Sequence, residues 1–197
     1  MQTAKQIYGG EGLKLRKLGF LKNKKLEDGR YEVWGDFEGN PKDIPIKIKI
    51  LHGNFDCSNN GLENLEGCPE IVGRDFYTSY TGITSLKGIA KKIGRNFDCS
   101  HNQNLTSLEG SPKIVKGSFN CSKNENLTSL KGVPKIIKGS FNCSNNSNLI
   151  SLEGGPEIVN GYFECSFNDL NSLKYMPKVI KGSFYFSNNK LTYFGYS

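Results

Sequence analysis

The residues that could do acid, base or nucleophilic chemistry are few and widely separated. His52 and His101 are the only histidines, and they lie more than two sequence repeats apart, which does not favour a Ser/His/Asp group. Asp56, Asp75 and Asp98 could supply a carboxylate pair for hydrolysis, but the surrounding sequence indicates no pocket. No P-loop or dinucleotide-binding glycine motif occurs either. We therefore predict that the protein is not an enzyme and that it binds no cofactor.

Five of the six cysteines occupy one position of a repeat. They are Cys57, Cys99, Cys121, Cys143 and Cys165. Cysteines at one repeat position are stacked equivalents, so they are not complementary disulfide partners, and their spacing is too long for a zinc site. We expect reduced, buried thiols and no metal at this position. Cys68 stands apart beside Pro69, and the sequence suggests no role for it.

The repeat is evident from four near-identical segments, which are GNFDCSNN at 53–60, RNFDCSHN at 95–102, GSFNCSKN at 117–124 and GSFNCSNN at 139–146. Its phenylalanine recurs every 21 or 22 residues, at Phe55, Phe76, Phe97, Phe119, Phe141, Phe163 and Phe184. A period of this length is typical of a short-repeat β-solenoid. The repeat array therefore decides the fold of most of the chain.

Alternation within the repeat predicts a strand with one buried side. Phe119 and Cys121 would point into the core, while Ser118, Asn120 and Ser122 would point to solvent. An asparagine follows the strand serine by two residues in six repeats, at Asn60, Asn102, Asn124, Asn146, Asn168 and Asn189. We expect these asparagines to form a ladder that bonds turn backbone groups. The glycine and proline that follow predict an extended return segment or a short helical turn.

The pattern F-x-C-S-x-N-x-L-x-x-L-x-G-x-P over residues 51 to 194 resembles the leucine-rich repeat. The resemblance implies a mainly β, right-handed solenoid with a parallel sheet of about eight strands. The consensus sequence of the repeat is also similar to that of short repeat proteins of bacteriophages and other viruses. The second repeat departs from the pattern at Thr78, Thr81 and Ala90, where we expect distortion, and the last repeat has Phe186 in place of cysteine.

Residues 1–50 are predicted to form an N-terminal cap, and residues 51–197 the array of seven repeats. Val33, Gly35 and Phe37 have the same mutual spacing as Val115, Gly117 and Phe119, which predicts a degenerate first strand. Alternation of isoleucines over 44–50 predicts a half-buried strand, and residues 13–21 could add a short helix or strand.

At the other end, the sequence shows no polar capping repeat. Either the tail that contains Leu191, Tyr193, Phe194 and Tyr196 folds over the last layer, or the open edge pairs with a second copy of the chain.

The predicted solvent-facing, concave side of the sheet carries acids and tyrosines in the two positions that flank each phenylalanine, and no lysine or arginine. The candidate partner-binding residues are Asp36, Glu38, Asp56, Asp75, Tyr77, Asp98, Tyr162, Glu164 and Tyr185. Acids steer a basic partner, and tyrosine buries much area at a low entropic cost.

Basic residues recur instead at the edge before each strand, although the whole chain carries a net charge of +7. They are Arg74, Lys92, Arg95, Lys116, Lys138 and Lys181, with Lys113, Lys135 and Lys178 close by. This lysine stripe is either a solvated edge that discourages edge pairing or a site for an anionic partner such as a nucleic acid.

We predict a non-enzymatic module that binds a protein with a basic surface, and the resemblance implies a phage-encoded protein that modulates a host or viral protein. The alternatives are a viral assembly component that self-associates through its C-terminal end, and nucleic-acid binding through the lysine stripe. The first residues do not read as a secretory signal, and no apolar run is long enough to span a membrane. We therefore expect a cytoplasmic protein, in the host cytoplasm if it is viral, without a membrane partner.

Overall fold

The computed structural model describes residues 4–20 and 22–192. The chain begins with a helix, Ala4–Lys17, followed by an antiparallel pair of strands, Lys22–Lys25 and Tyr31–Trp34. A short 3-10 helix at Pro41–Asp43 and a strand at Ile48–Leu51 lead into the repeats. From there on the architecture is a β-solenoid of about seven turns with very little helix.

One long sheet, which we call the Phe sheet, contains one short strand from each coil. Its eight parallel strands are Phe37–Glu38, Phe55–Asp56, Phe76–Tyr77, Phe97–Asp98, Phe119–Asn120, Phe141–Asn142, Phe163–Glu164 and Phe184–Tyr185. Neighbouring strands of the sheet come from successive coils, and each phenylalanine lies beside the next, as Phe119 lies beside Phe141. The predicted parallel sheet of eight strands is confirmed, including the degenerate first strand at Phe37.

The return side of each coil is also extended. We call these segments the Ile/Val strands, and they are Ile71–Val72, Lys92–Ile93, Ile114–Val115, Ile136–Ile137, Ile158–Val159 and Val179–Ile180. The first three join Ile48–Leu51 and the N-terminal strands in a six-stranded sheet, and the last three form a separate parallel sheet. Of the two predicted alternatives for the return, the extended one is therefore confirmed.

Each coil contributes the same apolar set to a continuous core. In one coil, Val115, Phe119, Cys121, Leu127 and Leu130 are all at most 3% exposed. The phenylalanine rings of successive coils contact one another, with centroids 4.9 Å apart for Phe97 and Phe119. Burial of each such aromatic side chain contributes roughly 2 to 3 kcal/mol, so the stacked coils hold one another in place.

The asparagine ladder lies inside this core. The Asn124 amide donates to the carbonyls of Cys121 at 3.0 Å and Cys99 at 3.2 Å, and its Oδ1 accepts the Asn102 N–H at 2.6 Å. Equivalent bonds recur at Asn102, Asn146 and Asn168, which are at most 4% exposed, so the predicted ladder is confirmed there. Asn60 is exposed and does not share this environment, so its assignment to the ladder was wrong.

Glycine is required where the chain turns from an Ile/Val strand into the Phe sheet. A Cβ atom at Gly139 would lie 2.7 Å from the Gly117 carbonyl carbon of the coil before it. The Gly139 N–H also donates to the Gly117 carbonyl at 3.0 Å, and Gly161 repeats this bond to Gly139 at 2.8 Å. The backbones of successive coils approach too closely at this corner for a side chain to fit.

The N-terminal predictions are only partly correct. The strand expected over 44–50 is confined to Ile48–Leu51, because Pro45 has no N–H to donate to a ladder. The segment at 13–21 contains the end of the helix, in which Leu15 is buried and Leu13 is 58% exposed. Leu21 lies outside the described residues.

The last coil is less well covered than the others. Its core residues Ile180, Phe184 and Phe186 are only partly buried, whereas their equivalents one coil earlier are buried. Of the tail residues expected to cover this layer, Leu191 is partly buried against the core. Tyr193, Phe194 and Tyr196 lie outside the described residues.

Replacing Asn146 with alanine should lower the free energy of unfolding by about 3 kcal/mol, because two buried carbonyls and one buried N–H lose their partner. Urea denaturation followed by circular dichroism measures this change. Asn60→Ala is the matched control and should shift the free energy by less than about 0.5 kcal/mol. Equal effects of the two replacements would contradict the role assigned to the ladder.

The stability of the protein should fall at alkaline pH because the cysteines of the repeat are buried. Burial raises the pKa of Cys99, Cys121 and Cys143 well above the usual 9.0, and that of Cys165 to about 12. In the unfolded chain these thiols ionise near the usual pKa, so above it the folded state binds more protons and stability decreases as pH rises.

Cys121→Ala should make this decrease shallower by up to about 1.4 kcal/mol per pH unit above a pH of about 9. Urea midpoints measured for the wild type and the variant over this range test the effect. A variant whose stability falls as steeply as that of the wild type would show that the thiol does not titrate in the unfolded state as required.

Candidate partner-binding surface

The outward residue of most Phe-sheet strands supports the backbone of its own coil. A side-chain oxygen accepts the N–H of the serine two residues later at Asp56, Asp98, Asn120, Asn142 and Glu164. The bond is 2.8 Å long at Asp98 and 3.1 Å long at Asn120. A carboxylate has a second oxygen, so Asp56 and Glu164 can hold the turn and still present negative charge to solvent, whereas the second oxygen of Asp98 accepts the Asn120 amide at 3.0 Å.

The residue before each phenylalanine forms a second ladder, which runs between coils. Its side-chain oxygen accepts the N–H of the equivalent residue in the next coil. The acceptors are Asp36, Asn54, Asp75, Asn96, Ser118 and Ser140, with distances of 2.7 to 3.1 Å. This need for a short acceptor explains why only aspartate, asparagine and serine occur at these six places.

Asp75 therefore does not present its side chain to solvent. It is 8% exposed, its Oδ1 accepts the Asn96 N–H at 2.9 Å, and the Arg95 guanidinium lies 3.9 Å from Oδ2. The strand serines were also expected at the surface, but Ser122 is buried, as are Ser100, Ser144 and Ser166. The chain turns immediately after the serine, at a residue with left-handed backbone, so little of the serine is exposed.

The remaining acids define the N-terminal part of the surface. Asp36 and Glu38 are exposed, and Asp56 and Asp98 are half-buried on either side of Tyr77, which is in register with both. Burial, together with the charges of Asp75, Asp56 and Asp98, raises the pKa of the Tyr77 hydroxyl.

The three predicted tyrosines all occupy positions at which other coils place a hydrogen-bond acceptor. Tyr162 interrupts the ladder between coils, because its phenol oxygen cannot take the place of a short side-chain acceptor. Tyr77 and Tyr185 stand where Asn120 and Asn142 accept a serine N–H. The solenoid does not need tyrosine at these places.

Tyr162 and Tyr185 form the C-terminal part of the surface. They are 44% and 49% exposed, and their ring centroids are 6.4 Å apart in an edge-to-face arrangement. A groove of about 540 Å³ lies beside them and is lined by Glu164, Phe167, Tyr185 and Phe186, among other residues. The geometry therefore places Glu164 next to the exposed aromatic rings of the last two coils.

Phe167 is part of this groove and was not predicted from the sequence. Its backbone is left-handed, with φ of 57°, and its side chain is 55% exposed. The same left-handed position is occupied in other coils by Asn59, Tyr80, His101, Lys123, Asn145 and Asn188. Asparagine tolerates this conformation better than phenylalanine does, and it occupies the position in three of the other six coils, so the phenylalanine of this coil was a signal in the sequence.

The two histidines are placed in separate environments. His52 stacks on Trp34 with centroids 4.6 Å apart, and its Nε2 lies 2.6 Å from Glu32 Oε1. His101 stacks on Tyr80 at 4.0 Å, and burial together with the charge of Lys123 lowers its pKa. Across residues 4–20 and 22–192, no group of three or more histidine, cysteine or acidic side chains is placed to hold a metal ion.

The scan against protein-family models, the search of curated proteins and the search of solved structures found no match for this chain. Within the described part of the chain, no helix is long and apolar enough to cross a membrane.

Replacing Phe167 with asparagine should raise the free energy of unfolding by about 1 kcal/mol, because asparagine adopts the left-handed backbone with less strain. The reciprocal change, Asn145→Phe, places the aromatic side chain at the equivalent position one coil earlier and should lower stability by a similar amount. Chemical denaturation of both variants tests the pair. A less stable Phe167→Asn variant would mean that the ring contributes more by packing than its backbone costs.

Proposed function

We propose that this protein is a non-enzymatic binding module that holds a protein partner with a basic surface against the solvent side of the Phe sheet. One observation carries the proposal. Tyr77, Tyr162, Tyr185 and Phe167 each occupy a place where the solenoid uses a small polar residue in other coils. Tyr162, Tyr185 and Phe167 are exposed and Tyr77 is half-buried, and aromatic residues at the surface that the scaffold does not need are typical of a contact surface.

The chemistry of the surface favours a cationic partner. The N-terminal part supplies Glu38, Asp56 and Asp98, which would speed association with a basic protein. The C-terminal part combines Glu164 with Tyr185 and Phe167 in one groove, where a lysine or arginine could contact the carboxylate and an aromatic face together. Aromatic residues near the centre of an interface often contribute most of its binding energy.

The resemblance to short repeat proteins of bacteriophages and other viruses suggests the setting. Under this proposal the protein is phage-encoded, acts in the host cytoplasm, and modulates a host or viral protein by covering part of its surface. The solenoid scaffold itself does not specify the partner, since similar scaffolds bind unrelated targets.

Substitutions by residues that already occur at the equivalent position of another coil separate an effect on partner binding from an effect on folding. The aromatic variant is Tyr77→Asn, Tyr162→Ser, Phe167→Asn and Tyr185→Asn, in which each new residue already occurs at the same position of another coil. We expect this variant to be as stable as the wild type or more stable, and to lose most of its partner binding. Partners captured from bacterial lysate on the immobilised wild type, after nuclease treatment, supply the ligand for the measurement.

The charge variant Glu38→Gln, Asp56→Asn, Asp98→Asn and Glu164→Gln keeps the side-chain oxygens that bond the turn serines. It should slow association with the captured partner about tenfold at low salt and lower the free energy of unfolding by no more than about 1 kcal/mol, because only the part-buried bond from the Asn120 amide to Asp98 is lost. If both variants bind the partner as well as the wild type does, the partner does not use this surface.

A second candidate function is self-association through the last coil. The observation that favours it is that Phe184 and Phe186 are only partly buried at the end of the Phe sheet, where the strand Phe184–Tyr185 has a neighbour on one side among residues 4–20 and 22–192. Such an edge can pair with another strand. Sedimentation velocity of the full chain tests this candidate, and a single monomeric species at all concentrations would remove it.

A further inference from the structure

The outward side of the Ile/Val strands carries a column of exposed apolar side chains. Ile114, Ile136 and Val179 are 42%, 51% and 41% exposed, and Ile158 is half-buried. Ile136, Ile158 and Val179 are in direct register on neighbouring strands, which places them about 4.8 Å apart. We call these four residues the apolar column.

The solenoid does not require this column for its own packing. The residue that follows each of its members, such as Val115 or Ile137, already fills the core. Lys92 occupies the same outward position one coil before Ile114 and shows that a charged residue fits there. The four apolar residues are therefore available to a partner.

Exposed lysines border the apolar column on both sides. Lys116, Lys138 and Lys181 follow its members by two residues, and no ion pair is formed by these three within the described part of the chain. On the other side are Lys113, Lys135 and Lys178, the last two of which share Glu157 at 3.8 and 3.3 Å. Six lysines thus surround the column against one glutamate.

We propose that this face adsorbs to an anionic lipid bilayer, with the lysines at the phosphate level and the apolar column in the boundary between headgroups and acyl chains. Interfacial binding of this kind combines buried apolar area with electrostatic attraction, and it needs no membrane-spanning segment. The flexible stems of the lysines let the ammonium groups stay in the headgroup layer while the shorter isoleucines enter below it.

The apolar column is what favours a lipid surface over a nucleic acid. Both partners offer phosphates to the lysines, but single strands bind through base stacking on aromatic side chains, and this face offers aliphatic ones. Isoleucine and valine between phosphates would have no partner on a nucleic acid. On a bilayer the same residues would move from water into the boundary between headgroups and acyl chains, which favours binding.

Sedimentation with vesicles tests the proposal. The full-length protein should bind vesicles of phosphatidylcholine that contain phosphatidylserine, in a salt-dependent manner, and should not bind vesicles of phosphatidylcholine alone. The lysine variant Lys116→Gln, Lys138→Gln and Lys181→Gln should bind on the order of 100-fold more weakly, since each lysine contributes a factor of about five.

The apolar variant is Ile114→Thr, Ile136→Thr and Val179→Thr, which keeps β-branched side chains on the strands. It should bind these vesicles at least about tenfold more weakly at unchanged charge. The control variant Lys87→Gln, Lys131→Gln and Lys174→Gln removes the same charge from exposed residues outside the Ile/Val strands and should bind like the wild type.

Three outcomes would overturn the proposal. They are the absence of binding to anionic vesicles, equal loss in the lysine and control variants, and an apolar variant that binds as well as the wild type. Tighter binding of a duplex or single-stranded oligonucleotide than of anionic vesicles, unaffected by the apolar variant, would assign the face to nucleic acid instead. The aromatic variant of the Phe sheet should bind vesicles normally, so this test is independent of the proposed protein-binding function.

Discussion

Each coil is bonded to the next through equivalent positions, and the rest of the structure depends on this constant register. The strands of the Phe sheet are only two residues long, but backbone bonds between coils continue beyond them, as from the N–H groups of Cys121 and Lys123 to the carbonyls of the next coil. Side-chain ladders add to these bonds. The Asn124 amide bonds two coils inside the core, and the Ser118 hydroxyl bonds two coils at the surface. If one coil shifted by a residue relative to its neighbours, the backbone bonds and the side-chain bonds would break together. The two sets of bonds therefore stabilise the same register cooperatively.

This dependence explains the polar residues of the repeat. The asparagine, the short residue before each phenylalanine and the acceptor after it all bond backbone groups of the solenoid. A repeated polar residue on such a scaffold is therefore first a structural residue. Residues that break the pattern, such as Tyr162 in the ladder between coils and Phe167 in a left-handed turn, carry the stronger indication of function.

The distribution of charge has a similar origin. The coil brings its acids to the Phe sheet, where an oxygen of Asp98 holds a turn, and it places Lys116 and its equivalents beside the Ile/Val strands. The net charge of +7 for the whole chain therefore does not indicate the charge of either surface. Two surfaces of opposite charge result, because the Phe sheet and the Ile/Val strands form different sides of each coil.

The sequence by itself determined the coil. The repeat of phenylalanine and cysteine predicted the parallel sheet, and the asparagine spacing predicted the ladder, because the same residues recur wherever the coil needs the same contact. Only the tertiary structure decided which polar residues are free. Asp75 precedes its phenylalanine and Asp98 follows its own, but the sequence does not show that Asp75 is buried while Asp98 keeps contact with solvent. The exposure of Ile114 was equally hidden, because a sequence of adjacent apolar residues does not show which side of a two-residue strand faces the core.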